Sequence, residues 1–332
     1  MDIMHLRYFQ AAAKTQKFTQ AAEQMHISQP AFSASLSKLE KELGVHLFDR
    51  IGRRIQLNEY GKIYIRYVDQ ALADELMGSA AETHVSREYL INTLIAYVTV
   101  KKNLNLKDCN GFTVPCPDVC STRRINEMKF TFCMTHSLLM EQGIPSSCEF
   151  DVACVLSQQA LIAVSHMSPY MGNAYPLVYD NGKLNVRHAN DAEVAKLMAD
   201  PTNLYAVQHS VAHRRMKDPA QNGPFALRHF AFDQKFGAVF RYDWNRDAGQ
   251  AITLCRFSPD GKKLFVGKGV VVAGGGYEED NCSGPVFIRV KDQEDFFNKQ
   301  CEVGMHLPLV YGDFTKELIA LAELFGVEAV VA

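Results

Sequence analysis

Between Phe18 and Leu57 the chain reads FTQAAEQMHISQPAFSASLSKLEKELGVHLFDRIGRRIQL, a stretch that leaves few folds open. It predicts two short amphipathic helices joined at His26-Ile27-Ser28, then a basic hairpin. Ala21 and Ala22 on the first helix are small enough for the second to cross closely. Ser28 is placed to cap the second helix, Pro30 fits its first turn, and Gly44 fits its end. Phe32, Leu36, Leu39 and Leu43 recur at three- and four-residue steps and make an inward stripe. Gln29, Ser33, Ser35 and Lys38 lie off that stripe. They supply short donors and acceptors plus one cation, the chemistry that reads base edges in a major groove. Arg50, Arg53 and Arg54 flank Gly52, where a wing would reach phosphates or a minor groove. By itself the helix pattern also fits any small helical subdomain.

Charge supports the nucleic-acid reading. Residues 1–66 hold ten Lys and Arg against six Asp and Glu, leaving 25 against 31 for the rest. A basic head on an acidic body suits nucleic-acid contact at one end. No apolar run reaches membrane-spanning length and the opening Met1-Asp2 starts no signal peptide, so a cytoplasmic location without membrane contact is expected. Nine scattered cysteines fit reduced thiols. Cys116 and Cys120 have no matching downstream pair, so buried thiols explain them better than zinc.

AAEQMHISQPAFSASLSKLEKELGVHLFDR resembles the signature of the LysR-type transcriptional regulators, and RRIQLNEYGKIYI is similar to their wing and the start of their linker helix. The likeness runs from Met1 to about Leu76. It implies a winged helix-turn-helix that binds a dyad-symmetric double-stranded DNA operator as a homodimer or higher homo-oligomer. Ser28, Gln29, Pro30, Ser33, Ser35, Lys38, Arg50, Arg53 and Arg54 would be the DNA-binding residues. The expected divisions are a winged helix-turn-helix over 1–58 and a linker or dimerisation helix within 59–88. Ile63, Tyr67, Ala71 and Leu72 would form the pairing stripe of that helix, or it stands as a lone solvated linker.

From Arg87 the pattern alternates. It predicts helix Arg87–Asn103, strand Gly111–Pro115, helix Cys120–Gln142, strand Ile144–Phe150, helix Asp151–His166 and a strand near Tyr175–Tyr179. This reads as an α/β domain over 89–204 with a parallel sheet. Short β-rich runs separated by Pro259-Asp260-Gly261 and Gly274-Gly275-Gly276 then predict a mostly antiparallel subdomain over 205–332. The fold class is thus multidomain: an all-α winged helix-turn-helix with linker helix, an α/β domain, and a β-rich subdomain.

GFTVPCPDVCSTRRINEMKFTFCMTHSLLMEQGIPSSCEFDVACVLSQQALI, SPYMGN and GMHLPLVYGDFTKELIALAELFGVE resemble the C-terminal half of the L-fucose isomerase family, over about Tyr89 to Val331. The resemblance implies a metal-dependent aldose–ketose isomerase or its sugar-binding relative. Proton transfer between neighbouring carbons needs a carboxylate base and a divalent cation to polarise oxygens, and Mn²⁺ suits oxygen-rich donors with one imidazole. Carried over residue by residue, Glu149 in the Cys-Glu-x-Asp run would be base and ligand, Asp180 a second catalytic carboxylate and ligand, and His306 the metal histidine. The bland alternatives are a helix-start carboxylate for Glu149, a β-turn residue for Asp180 before Asn181-Gly182, and an ordinary histidine for His306. His166, His188, His209, His213 and His229 receive no role, and Arg123 and Arg124 read as a solvated helix start. The isomerase family carries an α/β region ahead of this part, where the present chain has its DNA-binding head. Two functions therefore stand, in this order: a DNA-binding regulator that senses a small sugar, and an isomerase with an appended DNA-binding head; the blander alternative is a joined chain whose two halves are uncoupled.

Overall fold

The computed structural model describes residues 3–51, 54–116, 129–186, 189–230, 237–278 and 284–332. The chain divides into two compact units, Met1–Ser79 with Val98–Cys109, and Ala80–Tyr97 with Asn110–Ala332.

In the first unit, helices α1 (Ile3–Thr15), α2 (Phe18–Gln24) and α3 (Gln29–Leu43) close on Phe9, Ala12, Ala21, Ala22, Phe32, Leu36 and Leu39, all fully buried. The expected stripe of α3 is therefore its core face. Ser28 caps α3 through Oγ, which accepts from Ala31 N–H at 3.4 Å. Gly44 ends the helix at φ 71°, a conformation that costs a residue with a Cβ about 1 kcal/mol. Strands β1 (Phe48–Ile51) and β2 (Arg54–Leu57) form the antiparallel hairpin, with Phe48 opposite Leu57 and Ile51 opposite Arg54. Ile55 is buried, and its N–H donates to Gln16 O at 2.9 Å, which fastens the wing to the turn between α1 and α2. Asn58 then joins wing to α4 (Glu59–Ser79): its Oδ1 accepts from Gly61 N–H and its Nδ2 donates to His46 O, each at 2.9 Å. A Cβ at Gly61 would lie 2.1 Å from Leu47 O, so only glycine fits this approach. Leu72 is half-buried, while the side chains of Ile63, Tyr67 and Ala71 lie outside the described residues.

The second unit begins with β3 (Glu82–His84) and the first part of α5 (Arg87–Leu106), whose residues 98–106 belong to the first unit. Next come β4 (Phe112–Thr113), α6 (Cys133–Met140), β5 (Ser146–Ser147), α7 (Val152–Ser165), β6 (Tyr170–Pro176), β7 (Tyr179–Asp180), β8 (Lys183–Leu184), α8 (Asp191–Met198), β9 (Leu204–His209), β10 (Ala226–His229) and β11 (Ala238–Arg241). The chain continues through β12 (Ala251–Phe257), β13 (Lys263–Gly274), β14 (Gly284–Val290), α9 (Gln293–Cys301), β15 (His306–Tyr311), α10 (Thr315–Phe325) and β16 (Glu328–Val331).

Six of these strands pair in the order β12, β15, β6, β9, β14, β13, and β13 pairs back to β12. The result is a closed antiparallel barrel, with β16 added in parallel on β13. Closure leaves no unpaired edge around the ring. Side chains alternate accordingly: Ile252 and Leu254 enter one apolar cluster with Tyr205, Phe265 and Leu309. Cys255 and Phe257 enter another with Leu161 of α7 and Leu318 of α10. Elsewhere in this unit, Glu141 accepts from Arg214 through Nε at 2.8 Å and Nη2 at 2.7 Å, and the guanidinium sits 5.3 and 5.2 Å from the Phe225 and Phe240 ring centres.

Several expectations are corrected here. Among the described residues the parallel sheet expected over 89–204 is reduced to the two-residue pairing of β4 with β5; β6 and β9 pair antiparallel and belong to the same barrel as the later strands. The boundary expected between 204 and 205 falls at the start of β9, so the α/β and β-rich divisions share one sheet. The expected strand Ile144–Phe150 shrinks to Ser146–Ser147, because Glu149 and Phe150 turn left-handed at φ 60° and 58°. The strand expected near Tyr175–Tyr179 lies earlier, at Tyr170–Pro176. The expected helix Cys120–Gln142 is described only as α6; Cys120, Arg123 and Arg124 lie outside the described residues, as does His188. The linker span 59–88 contains α4, β3 and the start of α5.

Candidate nucleic-acid interface and carboxylate–histidine centre

On α3 the face away from the core is open. Gln29, Pro30 and Lys38 are exposed, and Ser33 and Ser35 are half-buried. Two of the hydroxyls expected to meet DNA already have local work. Ser28 Oγ caps the helix, and Ser35 Oγ donates to Ala31 O at 3.0 Å. Gln29 and Lys38 are thus the clearer candidates for base and phosphate contact. Arg50 and Arg54 are exposed on the hairpin, opposite Ile55 and Ile51 respectively. Arg53 lies outside the described residues.

In the second unit the turn between β5 and α7 carries Glu149. Two successive non-glycine residues in the left-handed region, Glu149 and Phe150, cost about 1–2 kcal/mol each, a strain found where side chains must be aimed. Barrel register brings the partners. His306 at the start of β15 lies opposite Asn173 of β6, which lies opposite Gln208 beside His209 at the end of β9. His306 Nε2 comes within 3.3 Å of Glu149 Oε2, and His209 Nε2 within 3.9 Å of Glu149 Oε1. Glu149 is exposed, His209 half-buried and His306 buried, with one donor atom from each within 4.8 Å of the others.

A second carboxylate holds this arrangement. Asp151, the N-cap of α7, accepts from His306 Nδ1 at 2.8 Å, from Arg256 Nη1 at 2.8 Å and from Cys154 N–H at 2.8 Å. The His306 contact fixes which ring nitrogen faces Glu149. The Asp151 carboxyl is held well below its ordinary range: burial opposes this, and His306 and Arg256 outweigh burial. His209 and His306 likewise hold Glu149 well below the usual carboxylate range. Burial alone would lower His306, but Asp151 and Glu149 raise it to about 9. Burial lowers His209 against the pull of Glu149.

Glu149 and His306, expected together, are together. Asp180 is not with them. It ends β7 in an exposed two-strand hairpin, where Asn181 and Gly182 turn left-handed and Asn181 Nδ2 donates to its carboxylate at 3.0 Å. The turn reading describes Asp180, and His209 occupies the third place in the cluster. Residue type alone did not separate His209 from other histidines; its signal was its position ending a short apolar strand. Asp151 and Arg256 were also missed as supports, although Asp151 stood in the Cys-Glu-x-Asp run.

Residues 3–62 match the model of the lysR family of bacterial regulatory helix-turn-helix proteins. The first unit therefore contains a lysR-type winged helix-turn-helix DNA-binding domain. Similar curated proteins include an uncharacterized HTH-type transcriptional regulator, YybE, of Bacillus subtilis (strain 168), 51% identical over 75 residues, which are 23% of this chain and 25% of that protein. The HTH-type transcriptional regulator CitR of the same organism is 39% identical over 94 residues, 28% of this chain and 32% of that one. The chain thus spans a quarter to a third of these relatives' length. Among solved structures, the BenM DNA-binding domain complexed with benA site 1 DNA is 36% identical over 23% of this chain and 87% of that chain, with a TM-score of 0.22.

Proposed function

We propose that the chain is a DNA-binding transcriptional regulator that acts as a homodimer or higher homo-oligomer on a dyad-symmetric operator, and that its second unit binds a small sugar. The observation that carries the first part is the open face of α3 within a domain of the lysR family. For the second part the support is the Glu149, His209 and His306 cluster with Asp151 behind it. His306 Nε2 is buried and has no hydrogen-bond partner among the described residues, although Glu149 lies 3.3 Å away. A divalent cation such as Mn²⁺ would take both groups on displacing the proton that pairs His306 with Glu149, so the residues fit one once His306 is neutral. It would polarise the sugar's vicinal oxygens.

The fit has a cost at His209. Its Nδ1 accepts from Ser210 N–H at 2.9 Å, so the neutral ring carries its proton on Nε2, toward Glu149. Ligation through Nε2 requires that proton to move. With Asp180 absent and a second imidazole present, the donor set has more nitrogen than an oxygen-rich manganese site, and Fe²⁺, Co²⁺ and Zn²⁺ become competitors.

Regulation by sugar requires that the ligand bind two assembly geometries with different affinity. The test is DNA affinity measured with and without Mn²⁺ and a panel including L-fucose and D-arabinose. A sugar-dependent change absent in Glu149→Gln supports the reading; indifference of DNA affinity to every sugar and metal contradicts the sensor part. The second reading is a metal-dependent aldose–ketose isomerase, favoured by the strained, aimed Glu149 as proton acceptor. Under it, purified protein converts an aldose to a ketose with added Mn²⁺ and Glu149→Gln does not.

A further inference from the structure

A second cluster of ligand-type side chains lies in the barrel-bearing unit, made from three elements. Cys148 follows β5, His136 lies in α6, and Cys116 follows β4. One donor atom from each lies within 4.8 Å of the other two. His136 and Cys148 are fully buried, and Cys116 is half-buried.

The imidazole is positioned as a ligand would be. Its Nδ1 lies 2.7 Å from Ser146 Oγ, while Nε2 is enclosed with no hydrogen-bond partner among the described residues. A buried N–H without an acceptor costs about 1–3 kcal/mol, so the favoured tautomer donates from Nδ1 to Ser146 and leaves a lone pair on Nε2. Ser146 is itself clamped: its N–H donates to Gln158 Oε1 at 2.7 Å and its C=O accepts from Gln158 Nε2 at 3.0 Å. Phe112 stacks on the ring at 5.3 Å between centroids. Ring orientation is thereby set by a partner behind the donor nitrogen, as in protein metal sites.

We propose that Cys116, Cys148 and His136 Nε2 form a site for a soft d¹⁰ cation of the zinc type. Two thiolates neutralise the divalent charge inside an apolar shell, and the imidazole supplies a third donor, the set used where a tetrahedral cation keeps one position for a further ligand. A third thiol, Cys133, adjoins Cys148 and borders the site. The sequence pairing of Cys116 with Cys120 gave no second half; the downstream partners are single residues brought in by α6 and β5. The donor set also separates this cluster from Glu149, His209 and His306, which offer no sulfur.

The test is titration of the reduced 332-residue chain with Co²⁺, whose coordination by thiolate gives a sulfur-to-metal charge-transfer band in the near ultraviolet, followed by competition with Zn²⁺. The expected result is such a band in the wild type, displaced by Zn²⁺, lost in Cys116→Ser and in Cys148→Ser, and retained in His306→Gln. His136→Asn, which changes no thiol, should weaken Co²⁺ binding ~10-fold or more. Near-ultraviolet circular dichroism of each variant without metal checks that it remains folded. Co²⁺ binding without a thiolate band, or a band that survives both cysteine substitutions, overturns the proposal.

Discussion

His306 Nδ1 meets Asp151 Oδ2 at 2.8 Å, and the same carboxylate accepts Arg256 Nη1 at 2.8 Å and Nη2 at 3.1 Å. Arg256 also donates to the carbonyl of His306 at 2.9 Å and to that of Val303. One helix N-cap thus ties β12 to the start of β15. Replacing Asp151 with Ala leaves the Arg256 cation buried beside His306 with no carboxylate. The expected cost is about 3–5 kcal/mol, the range for breaking one side of a buried pair. Urea unfolding of Asp151→Ala against wild type measures it, and a change under 1 kcal/mol would show that water replaces the carboxylate.

Glu141 and Arg214 make a comparable pair, fully bidentate and flanked by Phe225 and Phe240. The Glu141 carboxyl is held below its ordinary range although burial pushes the other way, because Arg214 donates to both oxygens. Glu141→Ala should lower stability by about 3–5 kcal/mol. Glu141→Ala with Arg214→Met should recover part of that loss in a double-mutant cycle; equal losses in the single and double variants would deny the coupling.

His213 gives stability a pH dependence. Burial lowers its pKa from 6.5 to about 4, against the pull of Glu141. Its Nε2 is 3.1 Å from Pro169 O, and Nδ1 accepts from Arg215 N–H at 3.3 Å, which a proton on Nδ1 would destroy. The folded value lies below the unfolded one, so only the unfolded chain binds this proton between pH 6.5 and 4. Stability should therefore fall as pH falls through that window, by up to about 1.4 kcal/mol per unit from this group. Subtracting the profile of His213→Gln from that of wild type isolates the contribution; parallel profiles would refute it.

Gly61 fixes the junction of wing and α4. Gly61→Ala puts a methyl 2.1 Å from Leu47 O and 2.7 Å from Leu57 Cδ2, so the hairpin or the helix must shift. We expect a loss of about 1–3 kcal/mol in the first unit and weaker DNA binding. Unchanged melting and affinity would mean that the junction is loose.

The winged helix-turn-helix was legible because its determinants are local. Ser28, Pro30 and Gly44 punctuate α3, and the Phe32, Leu36, Leu39 stripe faces the core. The barrel was not legible. Leu204 to Val207 are buried on both faces, and such a run reads the same in a parallel sheet or a closed antiparallel one. What decides is pairing of β6 with β15 and of β12 with β13, which no local pattern records. The centre was half legible for the same reason. Glu149 and His306 stood in recognisable runs, whereas His209 joins them only through register across β15, β6 and β9. Asp180 looked equivalent to Glu149 in residue type, but the Asn181-Gly182 turn keeps it on an exposed hairpin.

Sequence-preferring DNA binding through α3 and the wing is tested most directly by fluorescence anisotropy. Labelled duplex from the protein's own upstream region would be titrated against random duplex over a range of salt, with wild type, Gln29→Ala and Arg54→Ala. The account predicts tighter binding to the upstream duplex. Gln29→Ala should lose about 1–3 kcal/mol of that preference, and Arg54→Ala should weaken both duplexes alike and reduce the salt slope by about one. Equal affinity of the wild type for both duplexes, or a preference untouched by Gln29→Ala together with a salt slope untouched by Arg54→Ala, would contradict it.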